Sequence, residues 1–207
     1  MASGLLLRGL IAGALAGLLA ACVSFFAGEP PLERTIQFET AMHGEAAPEP
    51  QIVGRSTQRG VGLFAAHLIY GAAIGGTFSL VFALALGRIG AFEPRPLSGV
   101  LALAGFLALV LVPELKYPAN PPAIGAAETI GVRTTLYFAL LALSLLAMGL
   151  AARFVRLLIP KFGPWNGTIL SAGLFVVLVC TAMAALPPID EVPACFPASV
   201  LWNFRIA

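Results

Sequence analysis

The 207-residue chain carries twelve basic and ten acidic residues for a net charge of +2, and 59% of it is hydrophobic against 11% charged. Ordinary soluble domains hold about a quarter charged residues, so this complement cannot clothe a soluble globule of this size. The small net charge and the lack of a basic run speak against nucleic-acid binding. Three unevenly spaced cysteines give neither a disulfide framework nor a CxxC metal knuckle. The class that remains is an all-α integral membrane protein lodged in a lipid bilayer, because hydrocarbon accepts helical backbone whose amides are satisfied within the segment.

A spanning helix needs roughly 20 mainly apolar residues. Five windows meet that demand, predicting a single membrane domain built as a bundle of five transmembrane helices. The first runs from Leu5 to Phe26 (5–26), with only Arg8 near its start. After it comes a long acidic segment, Gly28 to Arg59 (28–59), with five glutamates, three arginines and several prolines, expected to be a loop outside the membrane. The second window is Gly60 to Leu86 (60–86). The third, Leu97 to Val112 (97–112), is short, uncharged and bracketed by Pro94, Pro96 and Pro113. Then follows Pro113–Arg133, stiffened by prolines and unable to be helical throughout. Thr135 to Ile159 (135–159) and Trp165 to Leu186 (165–186) complete the set.

Orientation follows from the short loops. With the N-terminus inside, six cations lie on each face, but Arg153, Arg156 and Lys161 concentrate three of the inner ones in one short turn. Nine of the ten acidic residues then fall outside. A cytoplasmic N-terminus and a periplasmic C-terminus in a bacterial inner (plasma) membrane are the expectation. A rival reading of the first window takes LAAC, Leu19 to Cys22, as a lipoprotein cleavage site. The apolar run continuing through VSFF beyond the cysteine argues against it.

Small residues four apart let helix backbones meet in a bilayer. Gly9, Gly13 and Gly17 form such a ladder in the first window, and Gly71 and Gly75 repeat it in the second. These faces either pack the bundle internally or receive a partner helix. His67 is the one histidine inside a predicted span, with Tyr70 and Thr77 on the same helical sector. Ionisable groups at that depth are costly and usually face the protein interior or water, and imidazole suits Co²⁺, Ni²⁺ or Zn²⁺. It is read either as a metal contact or as a histidine hydrogen-bonded within the bundle. Glu39, Met42, His43 and Glu45 gather carboxylate, thioether and imidazole in the acidic loop. That set is read either as a loose cation trap or as a solvated surface. No cofactor is expected to be bound permanently. There is no phosphate-binding loop, no HExxH and no hydrolytic triad pattern, so the chain is not expected to be an enzyme.

KYPANPPAIG followed by ETIGVRTTLYF, Lys116 to Phe138, resembles a signature of the probable cobalt transporter subunit family CbtA. The tail VPACFPASVLWNFRIA, Val192 to Ala207, is similar to that family's closing segment. The resemblance implies a membrane component that takes up Co²⁺ for cobalamin synthesis beside a small single-span subunit, CbtB, with a histidine-rich end. The alternative from a different class is a non-catalytic structural or scaffolding subunit of a larger membrane complex. Among the matching positions, Asn120, Glu128, Thr129 and Arg133 are expected to line an outer vestibule beside Asp190 and Glu191. Trp202, Phe204 and Arg205 are expected to anchor at headgroup level.

Overall fold

The computed structural model describes residues 2–43, 52–88, 92–122, 125, 127–189, 191–193 and 196–206. All regular structure among them is helical. Six longer elements are labelled α1 (Ala2–Val23), α2 (Glu29–His43), α3 (Leu63–Ala85), α4 (Pro94–Phe106), α5 (Ile130–Ala185) and α6 (Ala198–Ile206). Wide π-type turns at Ser24–Gly28 and Leu107–Leu111 carry their helices on without a break, whereas the one at Gln58–Gly62 holds a kink at Gly60 (φ −93°, ψ −108°) before α3.

Among the described residues four helical stretches are long and apolar enough to cross a bilayer: Ser3–Phe38, Arg55–Ala85, Pro94–Lys116 and Ile130–Ala185. The sequence led us to expect five. The difference falls at Gly163, since the windows 135–159 and 165–186 fall within α5 and its C-cap Leu186. At φ 80° and ψ 167° Gly163 is not helical, and that region is open essentially to glycine alone. An unbroken helix of 56 residues would run about 84 Å, far beyond the roughly 30 Å of hydrocarbon. Instead the chain doubles back. A Cβ on Gly167 would lie 2.8 Å from the backbone nitrogen of Ile159, so residues equally far on either side of Gly163 face one another.

Two further expectations are corrected. The acidic segment 28–59 is not all loop, because Glu29–His43 is helical and continues α1. The third window is longer than 97–112, running from Pro94 to Lys116. Prolines misled both readings. A proline in a helix lacks an N–H and its ring collides with the carbonyl four residues earlier. For Pro30, Pro31 and Pro113 those carbonyls belong to Phe26, Ala27 and Leu109, all inside π turns. There the backbone N–H of Glu29 bonds Ser24 O, and that of Val112 bonds Leu107 O, each five residues back. The widened turn gives the rings room, and the helices pass through.

The chain divides into two compact units. The first comprises Met1–Ile89, Pro121–Ile124 and Pro193–Ala207. Its body is the antiparallel pair α1 and α3, with α6 against α2, where the rings of Phe38 and Phe196 meet edge to face at 5.0 Å. The second comprises Gly90–Asn120 and Gly125–Val192. Its core joins Val112 to Leu140 and Ala147 on one arm of the α5 hairpin and Val179 on the other, with Phe175 and Leu186 against them.

Candidate functional site

In the first unit the two glycine ladders face each other. Gly9, Gly13 and Gly17 on α1 meet Ser79, Gly75, Gly71 and the carbonyl of His67 on α3. A Cβ on Gly13 would sit 2.8 Å from Gly75 Cα, and one on Gly71 would sit 2.8 Å from Gly17 Cα. Real Cβ atoms do not approach backbone so closely. The seam therefore exists because these positions lack side chains, and it leaves no passage between α1 and α3 from Gly9 to Gly17.

His67 lies where the seam ends. Its Nδ1 is 2.9 Å from the carbonyl oxygen of Leu63, and its Nε2 is 3.1 Å from the hydroxyl of Ser24 in the first π turn. A carbonyl oxygen only accepts, so Nδ1 carries the proton. Nε2 shares its hydrogen bond with the Ser24 hydroxyl. Tyr70 and Thr77 do not extend this site into a polar path. Tyr70 is exposed, and the Thr77 hydroxyl donates to the carbonyl of Ala73 on its own helix.

Further along, Arg59 lies over the ring of Phe25 at 5.4 Å. Arg55 donates to Glu29 at 2.5 Å and stands 3.6 Å from Glu33. The Glu29 side chain is almost wholly buried, a placement a carboxylate tolerates only beside a cation and a donor. Thus one guanidinium sits between two carboxylates four residues apart on α2, beyond the Ser24–His67 contact. Sequence reading did not find Ser24, Glu29 and Arg55 as partners. The only available signal was their position at the ends of two adjacent apolar windows.

The other expected metal contacts are placed differently. Glu39 and His43 lie at helical positions four apart near the end of α2, not in a loop, and Glu45 lies outside the described residues. No group of three or more His, Cys, Asp and Glu side chains able to hold a metal ion occurs among the described residues.

In the second unit Tyr117 and Arg133 each reach the segment that follows α5. The Tyr117 hydroxyl donates to the carbonyl of Pro187 at 2.8 Å, and burial raises its pKa above the ordinary 10.0. Arg133 pairs with Glu191 at 2.6 Å. Gly125, at φ +125°, lies against that pair, where a Cβ would come within 2.6 Å of Glu191 Oε2. Asp190, expected beside them, lies outside the described residues. At the chain's end Trp202 is exposed on α6.

Apolar helices of spanning length, a glycine-lined seam and a half-buried imidazole define a multi-pass helical membrane protein with no catalytic constellation among its described residues. A family model described as probable cobalt transporter subunit (CbtA) matches residues 2–207. The chain belongs to that family: it is a probable cobalt transporter subunit and not an enzyme. No curated protein and no solved structure matches it.

Proposed function

We propose that the chain is the membrane body through which Co²⁺ is taken up across a bacterial inner membrane to supply cobalamin synthesis. It crosses five times, with α5 counted as two spans turning at Gly163, a cytoplasmic N-terminus and a periplasmic C-terminus. The observation that carries this reading is the His67–Ser24 contact. It fixes the His67 ring, with Nε2 toward the small Ser24 hydroxyl, at the end of α3 nearer the Glu29, Glu33 and Arg55 cluster. Carboxylates attract a dication over distance, and imidazole is a good nitrogen donor for Co²⁺ once a hydration water leaves. The closed glycine seam directs the ion's path away from the α1–α3 interface, so that helices of a partner, such as a small CbtB-type subunit, would complete the route. Membrane potential supplies about 4.6 kcal/mol per 100 mV for a doubly charged ion.

A scaffolding role is the second reading, favoured by the same seam and by the pairing of Arg55 and Arg133 with carboxylates. Two variants separate them in cells grown on limiting cobalt. Loss of cobalt-dependent growth in His67→Ala with normal protein levels supports transport. If His67→Ala grows normally while Gly13→Leu disperses a co-purifying complex, scaffolding is the better account.

A further inference from the structure

We propose that the tip of the α5 hairpin is a binding surface for anionic phospholipid headgroups. The observations lie within the second unit. Between Arg133 and Arg153 no residue is charged, and twenty residues of helix rise about 30 Å, the thickness of the hydrocarbon layer. Arg133 is held at one end by Glu191. Arg153 therefore lies at the opposite hydrocarbon boundary, and Arg156 and Lys161 lie in the polar layer beyond it. All three are exposed. α5 contains no aspartate or glutamate anywhere in its 56 residues, so the hairpin itself brings no carboxylate to its tip. Glu93, exposed and two residues from the exposed Arg95, is the described carboxylate at that end of the unit.

Aromatic side chains flank the cations. Trp165, at the start of the returning arm, is 77% exposed, and Phe162 is 52% exposed. Indole beside arginine and lysine at a hydrocarbon boundary matches the interfacial layer, where the ring rests among headgroups and the long cations reach phosphates. Gly163 keeps the two arms close through the turn, so Trp165 stands at the level of Lys161. A zwitterionic headgroup offers this surface a phosphate with its own tethered cation. An anionic headgroup offers the phosphate alone and is preferred by roughly five-fold for each cation near the surface.

The test uses the full chain with Trp202→Phe, leaving Trp165 as the sole tryptophan, in bilayers containing brominated phosphatidylglycerol or brominated phosphatidylcholine. Quenching of Trp165 should show several-fold stronger association of the anionic lipid. In Arg153→Gln/Arg156→Gln/Lys161→Gln that preference should fall to about one. Quenching by the brominated phosphatidylcholine should be unchanged, which reports that the variant is folded. Equal quenching by both lipids, a Trp165 shielded from both, or a preference that survives the triple substitution overturns the proposal.

Discussion

Replacing Gly13 by alanine adds one methyl group at the centre of the seam. That methyl would lie 2.8 Å from Gly75 Cα and 2.9 Å from Gly75 N, with the carbonyl oxygen of Gly71 nearer still. All three neighbours are backbone, so no side chain can rotate away, and the helices must separate by about an ångström. A gap of that size forfeits a quarter to a half of each dispersion contact along the seam, and overpacking of this kind typically costs about 1–3 kcal/mol. Gly173 has nothing within 4 Å of its added Cβ. Gly173→Ala should therefore be neutral or stabilising, by up to about 1 kcal/mol from helix propensity. Thermal unfolding in one detergent compares the pair, at roughly 2–4 °C for each kcal/mol in a chain of this length. Gly13→Ala should melt several degrees below the parent and Gly173→Ala at or above it. If both alanines raise the midpoint alike, the seam does not hold α1 and α3 together.

Gly163→Ala should destabilise by about 1–3 kcal/mol, read as a lower melting midpoint, because a side chain is forced into a glycine-only backbone region; an unchanged midpoint contradicts the hairpin. Arg133→Gln should weaken the Arg133–Glu191 pair by no more than about 1 kcal/mol since Arg133 is partly solvated, and Gly125→Ala should cost about 1–3 kcal/mol because it adds positive-φ strain to crowding of the same pair. Their double variant should fall short of additivity in the same melt. Tyr117→Phe should lose about 1 kcal/mol through the missing donor to Pro187. Burial raises the folded-state pKa of Tyr117, so its contribution is complete below pH 10.0 and fades as pH rises through the higher folded value. Melts at alkaline pH should therefore bring the parent towards the phenylalanine variant.

Much of the membrane architecture can be read from local pattern, because a run of apolar residues long enough to span leaves few alternatives. The four-residue spacing of Gly9, Gly13 and Gly17 is equally visible. That it meets Gly71 and Gly75 is a long-range fact which spacing within one helix cannot state. The same holds for His67, whose partner Ser24 is 43 residues away. Arg55 and Glu29 are likewise joined only by the antiparallel return of α3. The helix 29–43 is hidden because its acidic, proline-containing composition suits a loop, and the tolerance of Pro30 and Pro31 depends on a π turn that no single residue announces. The hairpin at Gly163 shows the reverse case. The two apolar windows were legible, and the glycine between them supplied the turn.

As a probable cobalt transporter subunit, the chain is proposed to carry Co²⁺ across the membrane. The most direct measurement is uptake of radioactive cobalt at nanomolar concentration by cells with and without the gene, with His67→Ala as the third strain. Uptake should require the gene and should fall sharply in His67→Ala at equal protein levels. Identical accumulation in all three strains would contradict the claim.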